Sequence, residues 1–141
     1  MEFNELMNAF AAKCGLVGVE AAEDGCVVLE FNDIPVAFME NDAFESLVLR
    51  AVIGAPPPEA DGSLAKAMLR ANHALCNACG ATLCQDPETK EYAAVLTIPL
   101  STADADLLAK AVGNIVKTVN AWQGVVASGT ADQSADSRLY V

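Results

Sequence analysis

Gly25-Cys-Val-Val-Leu-Glu-Phe-Asn-Asp-Ile-Pro-Val-Ala-Phe38 decides how this chain folds. Two apolar runs, Cys26–Phe31 and Ile34–Met39, flank Asn32-Asp33. Asn and Asp tolerate positive φ better than most residues, so the pair reads as a tight hairpin turn. Pro35 lacks an amide donor, which suits the first residues of a strand or an edge. Further on, Phe44–Ile53 reads as a third strand, with Leu47, Leu49, Ala51 and Ile53 on one face. Ser46, Val48, Arg50 and Val52 take the other face. Three strands in succession make a meander.

Before the hairpin, Phe3, Leu6, Met7, Phe10, Ala11 and Cys14 keep the spacing of one amphipathic helical stripe, and Gly15 is placed to end it. Beyond the meander, Gly54-Ala-Pro-Pro-Pro-Glu59 can hold neither helix nor ladder and reads as a connector. Asp61 or Ser63 can then cap an Ala-rich helix running to about Cys76. Gly80 opens a second hairpin: Ala81–Gln85, a loop over Asp86–Lys90, and Tyr92–Leu100. Ser101, Thr102, Asp104 and Asp106 announce a long last helix carrying Leu107, Leu108, Ala111, Ile115, Val119, Trp122 and Val126. The order is α-β-β-β-α-β-β-α, an α+β fold with a five-stranded antiparallel sheet packed with helices. One domain is expected over residues 1–127, and residues 128–141 read as a flexible polar tail.

Composition narrows the function. The chain has 141 residues, 53% of them hydrophobic and 19% charged, which is globular and not disordered. Eight Lys+Arg against nineteen Asp+Glu give −11, a field that repels nucleic acid and anionic membrane alike. Met1-Glu2-Phe3-Asn4-Glu5 has no cationic or apolar targeting character. Five cysteines, an odd number, favour reduced thiols. The expected location is the cytoplasm.

The sharpest chemical signal is His73-x-x-Cys76-x-x-Cys79 with Cys84 beyond it, four potential zinc or thiol ligands. The plainer reading makes Cys76 and Cys84 small buried hydrophobes. Cys76-Asn-Ala-Cys79 also follows a helix, the end whose dipole raises a thiol pKa, so a thioredoxin-like role fails on placement. The chain has a single His and no nucleophile elbow, P-loop or dinucleotide fingerprint. Asp104 and Asp106 read as first-turn helix acids. Glu20, Glu23 and Asp24 read as a solvated loop, and Asp86, Glu88 and Glu91 as a hairpin tip. No catalytic residue, cofactor or enzymatic activity is expected. Apolar surface is what exceeds ordinary need: Cys26–Phe31 and Ile34–Met39 are apolar on both faces, and a two-layer fold covers only one. Such a surplus marks a partner surface. An alternative is a small-molecule pocket between helix and sheet. The alanines on several sides of the second helix suit a close helix-to-helix contact between two copies.

This small acidic chain, ordered α-β-β-β-α-β-β-α, resembles the type III secretion chaperones of the Tir-chaperone kind. Gly25–Phe38 resembles that family's first hairpin; Leu64–Cys76, Gly80–Gln85 and Tyr92–Pro99 resemble its second helix and second hairpin; Ser101–Ala127 matches its last helix. The resemblance covers about residues 3 to 127 and rests on pattern, not on a short motif. It implies a homodimer that binds the N-terminal region of a secreted effector in extended form, without turnover or ATP. It also implies that Val27, Leu29, Phe31, Val36 and Phe38, with Phe3, Met7 and Phe10, line the partner groove. Leu64, Ala67, Met68, Ala71 and Leu75 would line the dimer seam.

Overall fold

A computed structural model describes residues 2–16, 24–60, 62–77 and 80–130, the side chains of 75–77 excepted. Its elements are α1 (Phe3–Lys13), β1 (Val27–Phe31), β2 (Ile34–Asn41), a 3-10 turn (Asp42–Phe44), β3 (Ser46–Gly54), α2 (Ser63–Asn77), β4 (Thr82–Gln85), β5 (Tyr92–Pro99) and α3 (Ala105–Ser128). The expected α+β order holds throughout. The five strands run antiparallel in the order β1-β2-β3-β5-β4. The expected tail lies beyond the described residues from 131 onward.

The first hairpin turns as its sequence requires. Asn32 and Asp33 both take positive φ, at 53° and 66°, the backbone of a two-residue turn that matches strand twist. Register pairs Phe31 with Ile34, Leu29 with Val36 and Val27 with Phe38. Pro35 faces Glu30 in β1, and β3 pairs with β2 only from Ala37 onward. The missing amide therefore falls where no ladder bond is needed.

Cross-strand partners share a face, so the register sorts the sheet. Val27, Phe38, Leu49 and Leu96 form one row on the inner face. Val36, Phe38, Leu47 and Leu49 are fully buried there. The helices α1 and α3 cover this face: α1 buries Phe3, Leu6, Met7, Phe10 and Ala11, and α3 buries Leu108, Ala111, Ile115, Val119 and Trp122. Rings of Phe10, Phe31 and Phe38 meet at centroid distances of 5.8 to 6.5 Å under the hairpin. Phe44, expected to open β3, sits instead in the 3-10 turn and is exposed; Glu45 after it adopts left-handed φ, which ends the turn and delays the strand to Ser46.

Helix ends follow their local chemistry. At the end of α1, the Leu16 amide donates to the Ala11 carbonyl and the Gly15 amide to that of Ala12, with Gly15 at φ 76°. This double bond pattern is the left-handed cap that glycine permits. Asp104 caps α3 by accepting from the Leu107 amide at 2.7 Å. Gly129 closes α3 at φ 77°, where a Cβ would lie 2.8 Å from Pro57. The proline connector is thus packed against the end of the last helix, and only glycine fits there. Lys13 pairs with Asp106 and joins α1 to α3, but both side chains are solvated and such a pair adds little.

The two edges of the sheet differ. On β4, the Asn72 side chain of α2 donates to the Leu83 carbonyl at 3.0 Å and accepts from its amide at 2.8 Å, standing in for another strand. Asn72→Ala is expected to cost about 1–3 kcal/mol by orphaning both groups and to open this edge to self-association. Denaturant melts combined with light scattering read both effects. On β1, no further strand lies beyond it among the described residues.

Candidate functional site

The open edge of β1 has a defined hydrogen-bonding parity. Residues flanking a two-residue hairpin turn form the bonded pair, so Phe31, Leu29 and Val27 direct their amides and carbonyls toward β2. Val28 and Glu30 direct theirs outward. Cys26 shares that outward parity, and its amide donates to the Asp24 carboxylate at 3.0 Å. Two residues of free backbone therefore remain on the edge, a template for an added strand.

Beside the far end of β1 lies an apolar groove of about 560 Å³. Phe10 and Cys14 come from α1, Phe31 and Asn32 from the hairpin, and Ala109, Val112, Gly113, Val116, Lys117 and Asn120 from α3. Its α3 wall repeats at helical spacing, but on a different stripe from Leu108, Ile115 and Trp122, which pack inward. Gly113 carries no side chain to fill the space, and a Cβ there would meet nothing within 4 Å. Gly113 and Ala109 keep α3 thin where the groove opens.

Of the residues expected to line a partner groove, Phe10 and Phe31 stand beside this cavity, Phe10 buried and Phe31 half-buried. Phe3, Met7, Val27, Val36 and Phe38 are packed in the protomer's own core, and Leu29 is half-buried against it. Both faces of β1 and β2 are apolar, so composition does not say which one turns inward; the face carrying the larger side chains is the one α1 and α3 cover. Cys14, Val112, Gly113 and Val116 were not anticipated. For Val112, Gly113 and Val116 the signal is a second small-residue stripe on α3 beside the stronger Leu/Ile/Trp stripe, while Cys14 comes from the end of α1.

The described residues of the expected dimer seam lie on the inner side of α2. Leu64, Met68 and Ala71 are buried within their own protomer and Ala67 is half-buried, because this stripe packs α2 onto the body of the fold. The side chain of Leu75 lies outside the described residues. What α2 turns outward is Leu69, 72% exposed.

The cysteine and histidine alternative gains nothing. His73 and Cys84 are exposed, while the Cys76 side chain and Cys79 lie outside the described residues. Among the described residues no three metal-ligating side chains gather. Burial, then the neighbouring Asp24, pushes the Cys26 thiol up, away from a reactive thiolate. Asp86 is held below the usual carboxylate range by the Glu88 and Thr89 amides and, further off, by Arg50, which makes it the organiser of the second hairpin loop. No helix among the described residues is long and apolar enough to cross a membrane.

Among the described residues the sheet has one edge met by Asn72 and one edge with no further strand, and an apolar groove lies beside the latter. Comparison with known proteins narrows this. Residues 5–123 match the model of the Tir chaperone protein (CesT) family, and the chain belongs to that family. No curated protein matches. Among solved structures, a chain of the HopA1–SchA chaperone–effector complex aligns with TM-score 0.75 at 15% identity, over 86% of this chain and 93% of that one. A chain of the ExsC–ExsE complex aligns with TM-score 0.74 at 17% identity, over 90% and 98%. A chain of the complex of the Yersinia pestis type III secretion chaperone SycH with a fragment of YscM2 aligns with TM-score 0.70 at 17% identity, over 84% and 98%. At such identities the likeness is one of fold.

Proposed function

We propose that this protein is a non-enzymatic type III secretion chaperone that holds the N-terminal region of an effector in extended form, soluble and ready for export. Family membership supports the class. The observation that carries the mode of binding is the pairing of the free β1 edge with the groove between α1, the hairpin tip and α3. An extended segment gains main-chain bonds from Val28 and Glu30 and buries an apolar side chain against Phe31, Ala109 and Gly113. Ordering a long segment offsets part of the contact energy, which keeps the complex releasable. The net charge of −11 keeps a protein with open apolar surface in solution and suits the cytoplasm.

The test is capture from a cell that carries such a secretion system, followed by limited proteolysis of the complex. Protection confined to an N-terminal cargo segment is expected. A folded globular cargo domain as the protected unit would overturn the extended mode, and recovery of the protein alone would overturn the function.

The proposal includes a homodimer. Leu69 on the outer side of α2 is the large apolar side chain that a second copy would cover. Leu69→Asp is expected to convert dimer to monomer in sedimentation velocity while the circular dichroism of the folded protomer is kept, since the residue is outside the core. A dimer that survives this change places the seam elsewhere.

A further inference from the structure

α3 carries an exposed stripe that leads from the groove to the end of the helix. Gly113, Lys117, Asn120, Gly124 and Ala127 stand at i, i+4, i+7, i+11 and i+14, so they share one face, and all five are exposed. Gly113 and Gly124 leave open space above the helix, since a Cβ at either would meet nothing within 4 Å. The stripe begins in the groove of about 560 Å³ and finishes at the last turn of α3, where Gly129 takes left-handed φ against Pro57. Lys117 is the charged residue on the groove wall, and no carboxylate stands among the lining residues. Neither ion pair found among the described residues, Lys13–Asp106 or Arg50–Asp86, uses it.

We infer that the chain carries its own occupant for this groove: residues 131–141 return along the stripe, with Asp136 beside Lys117 and Leu139-Tyr140 on the apolar floor. The segment reads Ala-Asp-Gln-Ser-Ala-Asp-Ser-Arg-Leu-Tyr-Val, a polar spacer followed by three apolar residues. Length sets its register. The level of Lys117 lies about 20 Å back from Thr130 along the helix, and six extended residues carry Asp136 about 20 Å from Thr130. Leu139 can lie about 30 Å from Thr130, far enough to pass Gly113 and reach the level of Ala109. Arg138 then arrives near the hairpin turn, where Asp33 is exposed. Charge complementarity agrees with this register at both positions. The occupant comes from the same protomer, because two copies at −11 repel each other while the tether holds the segment at an effective concentration on the order of millimolar. A solvated ion pair and two apolar side chains make an exchangeable contact and not a permanent seal. The contact stands apart from the proposed function; its consequence, that cargo must displace the segment, rests on it.

Solution NMR on the full chain tests the contact without any cargo. Nuclear Overhauser contacts are expected from the Tyr140 ring to the Ala109 methyl and the Gly113 α protons, unchanged on dilution. Leu139→Ser with Tyr140→Ser is expected to shift the Gly113 and Lys117 amide resonances, and Asp136→Lys to shift them in the same direction, with circular dichroism unchanged in both variants. Absence of the Tyr140 contacts in the folded native chain overturns the inference, as do contacts that fade on dilution or resonances indifferent to Asp136→Lys. None of these results touches the chaperone reading. A cargo segment is expected to bind the double variant about threefold to tenfold tighter than the native chain, the gain from freeing a groove that is about 70–90% self-occupied. Tyr140 contacts in a chain that binds no cargo in either form would support the inference and sink the chaperone reading instead.

Discussion

Gly113→Leu is expected to lower affinity for a cargo segment at least tenfold while the melting temperature holds or rises. The position lies on the groove wall, in helical backbone, and a Cβ added there meets nothing within 4 Å. Replacing a mid-helix glycine removes a conformational entropy cost of about 0.5–1 kcal/mol, so the fold gains slightly. The new side chain occupies the space that an apolar anchor would take. Burial of one such anchor is worth about 1.5–3 kcal/mol, which converts to a loss of tenfold or more. Calorimetric titration with the cargo segment, alongside a thermal melt, separates the two quantities. Unchanged affinity in a fully folded variant would show that the groove is not where cargo sits.

Phe38→Ala should do the opposite, damaging the fold before it touches binding. Phe38 is fully buried, its ring 5.8 Å from that of Phe10 and 6.5 Å from that of Phe31. Truncation leaves a cavity at the centre of the inner face and costs about 3–5 kcal/mol. A domain of this size is stable by about 5–15 kcal/mol, so roughly a fifth or more of the margin disappears. The melting temperature should fall by roughly 10 °C or more. Binding measured well below the new midpoint should be weakened much less than in Gly113→Leu. A variant with an unchanged melting temperature but no binding would restore Phe38 to the lining of the site.

These two residues mark the boundary between what could be read along the chain and what could not. Asn32-Asp33 specifies its turn because few residues accept positive φ, and the observed 53° and 66° follow from that local constraint. Gly15 and Asp104 end and begin their helices for equally local reasons. The alternation of Leu47, Leu49 and Ala51 fixes that they share a face. An aromatic beside an apolar run favours a strand at Phe44, whereas the left-handed Glu45 ends a turn there.

The candidate site was legible only in part. Along the chain Phe31, Val36 and Phe38 look equally suitable as lining; only the folded sheet leaves Phe31 half-buried beside the groove and puts Val36 and Phe38 in the core. Period-two alternation assigns residues to two faces but carries no label for which face meets the helices. The blocked edge is another case: nothing about Asn72 in a helical stretch announces that its amide will pair with Leu83 eleven residues later in the chain. Gly113 in an isolated helix is merely a weak position; it becomes the wall of a groove once α1 and the hairpin stand beside it. The sequence by itself determined the elements, their order, the turns and the acidic surplus, because φ preference, side-chain periodicity and charge act over a few residues. The tertiary structure alone decided which apolar face is core, which strand edge stays open and where the groove lies, because burial and edge pairing depend on segments far apart in the chain.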